Sequence, residues 1–483
     1  MQKIQNYIGG QLVPPLSGNY LDNYNPATGE IFAQIPDSDE RDVQLAVESA
    51  QKAFAEWSLS PVEERSNMLN HLGSLILKKL NELALAECND NGKSLFFAKQ
   101  VDIPRAAKNF KFYATAILHF SNQAHIMENN AVNYTRNDPM GIVGCISPWN
   151  LPLYLFTWKI APALAAGNCV IAKPSEITPL TAFLLSEICR EAELPPGVLN
   201  IVHGLGSKAG AAIVAHPEIK AISFTGGTKT GESIARTAAP MFKKLSLELG
   251  GKNPNIIFAD SNYEEMLKTT LRSSFDNQGQ ICLCGSRIFV ERPIYEKFKH
   301  DFVQRTQALI IGDPLKTDTY LGALVSEAHL QKVLSYVALA KEEGGHILTG
   351  GKRIYLEGRC AGGYFMEPTI IENLSYDCRT NQEEIFGPVV TLMPFDTEEE
   401  VIKYANSVRY GLAASIWTND INRSSRVAQQ LQSGIVWVNC WMLRDLRTPF
   451  GGMKDSGVGR EGGFEAIKFF TEAKNVCVKI QSL

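Results

Sequence analysis

From Asp42 to Trp57 (DVQLAVESAQKAFAEW) the apolar positions Val43, Ala46, Ala50, Ala53 and Phe54 recur at helical spacing. A longer tract from Glu64 to Asn89 carries Met68, Leu69, Leu72, Leu75, Ile76, Leu80, Leu83 and Leu85 on the same period. Both predict packing helices. Beyond Gly141 the pattern changes: short β-rich apolar runs (GIVGCI, CVIAK, VLNIVHG, IKAISFTG, NPNIIFAD) alternate with helical stretches such as Thr181–Ala192 and Lys229–Ala238. Strand–helix alternation predicts βαβ units and a parallel sheet covered on both faces. A second series follows, with helices expected over Tyr295–Leu309 and Glu327–Glu343 and strands in HILTGG, GYFMEPTII and PVVTLMPF. Two α/β domains dividing near Gly250–Gly251 are therefore expected. Asn122–Asn137 and Phe464–Lys479 fit neither series, and the alternation in NVCVKI predicts a terminal strand suited to pairing with another sheet or subunit.

The length of 483 residues agrees with two or three cores, and 45% hydrophobic with 20% charged residues excludes a disordered or fibrous chain. A net charge of −4 leaves no basic excess for a phosphate backbone, so a dedicated nucleic-acid binder is excluded. The longest apolar stretch, Gly141 to Trp158, is interrupted by Pro148, Asn150 and Pro152, so no membrane span is expected. The N-terminus lacks the apolar region of a signal peptide, which predicts a cytoplasmic protein. Ten cysteines scattered through a long chain read as free thiols, and Cys282-Leu-Cys284 has neither the spacing nor the His neighbours of a zinc site. No metal is expected.

Several turns could carry chemistry. His203–Gly210, which includes Gly206, and Phe224–Gly231, which includes Gly226 and Gly227, are glycine-rich turns after expected strands, where backbone N–H groups could hold a pyrophosphate. Either alone reads equally well as an ordinary βα turn. Lys173 and Glu176 close another strand, where they could hold ribose hydroxyls; the bland reading is a surface ion pair. Glu248 stands between Leu247 and Leu249 before two glycines. An apolar setting raises a carboxyl pKa towards that of a neutral-pH base, although a helix-end Glu capped by glycines fits the same pattern. Cys282 follows NQGQI, as an exposed nucleophile at a helix N-terminus would, with the dipole favouring thiolate. In SPWN, Asn150 could donate its amide to an oxyanion.

In order, NPATGE, SPWN, KPSE, FTGGTKTG, ELGGKNP, NQGQIC, EEIFGPV and PFGGMKDSGVGRE resemble the aldehyde dehydrogenase superfamily over essentially the whole chain. The resemblance implies an aldehyde-dehydrogenase-like α/β fold. A Rossmann-type NAD-binding domain would span 1–121 and 138–249, and a catalytic domain 250–449. A small β oligomerisation element would comprise 122–137 and 465–483, giving a homodimer or homotetramer. It implies Cys282 as nucleophile, Glu248 as general base and Asn150 as oxyanion donor, with the Cys282 backbone N–H assisting. It also implies NAD contacts from Ile146, Ser147, Trp149, Lys173, Glu176, Gly206, Gly226, Gly227, Leu249, Glu384 and Phe386. Glu176 points to NAD over NADP, because a carboxylate repels a 2′-phosphate.

Departures from the commonest family pattern bear on the substrate. Asp276 stands where an aromatic residue is frequent, making that edge of the pocket more polar, and Gly227 replaces a frequent Ser. The stretch CWMLRDLRTPFGG resembles the branch that acts on 2-aminomuconate and 2-hydroxymuconate semialdehydes. That implies a small-molecule semialdehyde whose carboxylate pairs with Arg444, helped by Arg105, in a pocket that includes Leu155 and Trp158. Arg447 reads better as solvated charge. The competing expectations are a broad aliphatic or betaine-aldehyde dehydrogenase and, more remotely, a non-catalytic protein on the same scaffold.

Overall fold

The computed structural model describes residues 2–128 and 130–480. Met1, Asn129 and 481–483, the last four falling in the expected oligomerisation element, lie outside the described residues. Two large sheets and four smaller ones organise the described residues. The eight-stranded sheet has at its centre five parallel strands, in the order Lys244–Glu248, Ile219–Thr225, Ile142–Ile146, Cys169–Lys173 and Leu199–Ile201. Ile142–Ile146 and Cys169–Lys173 are buried at every position. Helices cover both faces of a parallel sheet, so its strands read as unbroken apolar runs. Antiparallel strands close the edges: Asn6–Ile8 and Gln11–Val13 on one side, Gly457–Val458 on the other.

The seven-stranded sheet runs His346–Thr349, Thr369–Glu372, Val389–Phe395, Arg287–Glu291, Pro254–Ile257, Ala413–Trp417, Ile435–Val438, and only its first strand is antiparallel. The change of sheet falls at Gly250–Gly251, between Glu248 and Pro254. One of the smaller sheets, three-stranded, pairs Thr471–Lys479 with Ala131–Pro139 over nine residues, and the latter with Ala124–Met127. Its strands are mostly exposed, with Ile126 and Val478 among the outward apolar side chains. Among the described residues no helix is long and apolar enough to cross a membrane.

The helix expected from Asp42 starts at Glu40, because Asp39 caps it and Asp42 returns a bond to the Asp39 N–H. The tract expected as one helix over Glu64–Asn89 is two, Val62–Lys78 and Leu80–Asn91. They are separated at Lys79, whose backbone (φ −98°, ψ 20°) leaves the helical region. Periodicity alone misses this break, since the apolar stripe continues across it.

Candidate active site

Parallel strands end at one edge, and the register aligns those ends. Ile146 lies opposite both Phe224 and Lys173, and Thr225 lies opposite Glu248. The loops after them carry SPWN, KPSE, TGG and LGGK, the position at which open α/β sheets gather their ligands. A cavity of about 220 Å³ opens there, lined by Trp149, Asn150, Gly226, Leu249, Cys282, Glu384 and Phe386 among others. Residues far apart in the chain thus share one hollow.

Cys282 does not sit at a helix N-terminus. It follows a tight turn, Asp276–Gly279, and no helix succeeds it before the strand Arg287–Glu291. The thiol is half-buried, and burial first, then the charges of Glu384 and Glu248, push it up to about 12. The expected helix dipole is absent, and burial and the two carboxyl charges work against ionisation of the thiol. Asn277 and Gln278 in that turn both adopt positive φ (52° and 56°). Buried bonds from Asn277 Nδ2 to the Asn150 and Gln280 carbonyls, and from Gln278 Nε2 to Ala323 O, hold this left-handed pair. Gly279 follows at φ +68°, with the Gly387 carbonyl only 2.2 Å from where a Cβ would stand.

Asn150 is 3% exposed, and its Nδ2 donates to Gln280 O at 2.9 Å, which leaves one amide N–H for a ligand. Glu248 ends a strand and not a helix, contrary to the simpler of the two sequence readings. Both its carboxylate oxygens are buried without a hydrogen-bond partner. Burial first, then the neighbouring charge of Glu461, raise its pKa well above the ordinary carboxyl range. Glu461 itself accepts from Lys159 Nζ at 2.6 Å and from Ser223 Oγ.

Lys173 and Glu176 pair at 3.0 Å, and Glu176 also accepts from Gly206 N at 3.3 Å. Burial raises the Glu176 carboxyl, but the Lys173 charge and N–H bonds outweigh it and leave it ionised below its usual value. Ser147 and Thr225 hydroxyls are buried without partners, and a side chain at Gly227 would meet open space. These orphaned groups and the open turn fit a phosphate-bearing ligand. Glu384 accepts from Gly251 N at 2.8 Å. Phe386 is held at φ +63°, its carbonyl bonded to His329 Nε2 and its ring edge-on to Trp149.

A second cavity of about 340 Å³ is lined by Arg105, Lys108, Tyr154, Asp276, Ile281 and Arg444, among others, so the neighbour of Cys282 faces it. Arg444 donates to Tyr154 Oη at 2.8 Å and stacks 3.8 Å over Phe450. The guanidinium carbons of Arg105 and Arg444 lie 5.4 and 5.5 Å from the Trp158 ring centre. Among the described residues neither arginine pairs with a carboxylate, and Arg105 Nη2 is buried without a partner. Asp276 is occupied by Tyr320 and Arg272. Arg447 is exposed and bound to Asp445, as a solvated charge would be. Leu155, on the helix Pro152–Ala165, is half-buried and does not line this cavity.

Residues with no sequence signal of their own also belong here: Tyr154, His329, Lys332, Lys159 and Lys93. Glu461 lies within the GVGRE motif, so position in a motif could have marked it. Among the described residues no group of His, Cys, Asp or Glu could hold a metal ion.

The aldehyde dehydrogenase family profile matches residues 13–476. Over 479 residues the chain is 52% identical to a 2-aminomuconic semialdehyde dehydrogenase of Danio rerio, covering 99% of this chain and 98% of the relative. It is 45% identical to a 2-hydroxymuconic semialdehyde dehydrogenase of Pseudomonas sp. (strain CF600), covering 99% and 100%. An aldehyde dehydrogenase of Bacillus cereus, solved as an NAD+ complex, superposes with a TM-score of 0.96 at 40% identity, over 99% and 97% of the two chains.

Proposed function

This chain belongs to the aldehyde dehydrogenase family, and on that premise we propose that it oxidises a carboxylate-bearing semialdehyde of the 2-aminomuconate or 2-hydroxymuconate type to the dicarboxylate, with NAD+ as oxidant. The observation that carries the substrate is the pair of half-buried guanidiniums, Arg105 and Arg444, with no carboxylate of the protein to neutralise them. Such a pair takes an anion and repels a trimethylammonium group. The names of the muconic semialdehyde relatives agree with this.

In this reading Cys282 adds as thiolate to the aldehyde carbon. Burial and the Glu384 and Glu248 charges oppose loss of the thiol proton to water, while the Arg444 guanidinium favours it, as the positive nicotinamide ring of bound NAD+ would. The Asn150 amide N–H not given to Gln280, with the Cys282 backbone N–H, holds the oxyanion. NAD+ held at the Glu384, Phe386 and Trp149 side of the cavity would supply the hydride acceptor through which the Cys282 adduct becomes an acyl thioester. Glu248 then takes a proton from water, which attacks the thioester and frees the acid. Lys173 and Glu176 would hold the adenosine ribose, Gly226 and Gly227 the pyrophosphate, and Glu384, with Phe386 and Trp149, the nicotinamide side. The NAD-binding unit would be 1–121 with 138–249 and the catalytic unit 250–449, while 122–137 with 465–483 would join subunits of a homo-oligomer. Free cysteines throughout the described residues suit a cytoplasmic location.

The test is a substrate panel on Arg444→Ala. Loss of a charge-assisted bond of about 1.5–3 kcal/mol predicts a KM for the semialdehyde raised roughly 10- to 100-fold. A neutral aliphatic aldehyde should be nearly unaffected. Equal effects on both would sink the assignment.

A further inference from the structure

Behind Asn150 lies a group of charges that the reaction scheme does not use. Lys93, Glu87 and Asp102 are each fully buried. Lys93 Nζ lies 3.3 Å from Glu87 Oε1 and pairs more closely with Asp102 Oδ2, and it donates to the Asn150 carbonyl at 3.0 Å. An ammonium has three N–H donors, and these three acceptors use them all. The Asn150 carbonyl also accepts from Asn277 Nδ2 at 3.0 Å, and the Trp149 carbonyl before it accepts from Asn91 Nδ2 at 2.9 Å. Asp102 ends the π-helical turn Ala98–Asp102, and the helix Ile103–Ala116 directly after it carries Arg105.

A buried ion pair adds little net stability compared with apolar residues of the same volume, but it fixes the groups it joins. The groups joined here are specific. Rotation of the Asn150 peptide would break the bonds from Lys93 and Asn277 together. The Asn150 side chain is thus held from two ends, by its peptide carbonyl through Lys93 and Asn277 and by its Nδ2 through Gln280 O.

We propose that Lys93 is a positioning residue for the reaction: through the Asn150 carbonyl it aims the oxyanion donor, and through Asp102 it ties that donor to the helix bearing Arg105. The inference rests on the reading of Asn150 given above. Lys93 touches no substrate, and its effect is to keep two substrate-facing groups in one register, so that the carbon attacked by Cys282 and the distant carboxylate are held by a common brace.

The experiment compares Lys93→Met with Asn150→Ala in the full-length enzyme. It reads the pre-steady-state NADH burst with a neutral aldehyde, the Kd for NAD+ by fluorescence titration, the KM for the semialdehyde and the melting temperature. Removing an oxyanion donor outright slows this step by about 100- to 1,000-fold, so a misaimed donor should slow the burst by about 10- to 100-fold. The semialdehyde KM should rise and the NAD+ Kd should stay unchanged. A purely structural Lys93 would lower the melting temperature and leave the burst rate intact in folded enzyme; that result overturns the proposal. Asn150→Ala without effect on the burst would instead overturn the reading of Asn150. Should Lys93→Met not fold, Asp102→Asn leaves Lys93 with Glu87 as its counter-charge and is read by the same criteria.

Discussion

At Glu248 two carboxylate oxygens are buried with no donor to satisfy them, and Glu461 adds a like charge nearby. Both conditions favour the protonated form, so the carboxyl acts as a base only above its raised pKa. Thioester hydrolysis should therefore gain rate as pH rises through that value. Replacing Glu461 with Gln removes the repelling charge, so the acid limb of kcat should move to lower pH; an unmoved limb would exclude this electrostatic link. Glu248→Gln keeps the shape and loses the base. It should give a single NADH burst of about one equivalent per site and then stall, with steady-state kcat lower by about 100- to 10,000-fold. Rapid-mixing absorbance measurements would resolve the two phases, and an undiminished steady state would remove Glu248 from the water step.

Among the elements around the site, the turn Asp276–Gly279 is closely constrained, with three successive residues at positive φ. The missing side chain at Gly279 lets the Cys282 segment approach the Gly387 carbonyl, next to Phe386 and close to Glu384. Gly279→Ala would place a Cβ 2.2 Å from that oxygen at positive φ. The expected outcome is a lower melting temperature and a raised KM for NAD+, because the loop bearing Glu384 and Phe386 must move; an unchanged melt and KM would refute the coupling. Sequence reasoning reached this region for a physical reason. Doubly covered strands such as Cys169–Lys173 read as apolar runs, and the turns after them carry glycines and short polar residues that few other contexts require. The same reasoning passes over Lys93, Glu87 and Asp102. Each lies in or beside a helical tract where charge normally faces solvent, and only the tertiary fold makes them neighbours. Arg105 gave a weak signal for the same cause. The misplaced helix at Cys282 arose because a glycine turn marks a change of direction without specifying whether a helix or a strand comes next.

At the scale of the molecule, the strand Thr471–Lys479 leaves the compact body to pair with Ala131–Pro139 on an exposed sheet. Removing residues 471–480 would bare the edge of Ala131–Pro139 and the apolar side chains around it. We expect sedimentation analysis to show a smaller assembly or aggregates, with cofactor affinity kept by any folded monomer; an unchanged assembly would place the subunit contact elsewhere. The short strand Gly457–Val458 has a different reach. It pairs with Leu247 and Glu248, closing the first sheet with a segment that lies beyond the whole second sheet in sequence. During synthesis, then, the strand that bears Glu248 waits as an open edge while some two hundred further residues leave the ribosome. A chain interrupted before Gly457 therefore carries an unpaired strand edge beside Glu248, the carboxyl proposed above to activate water.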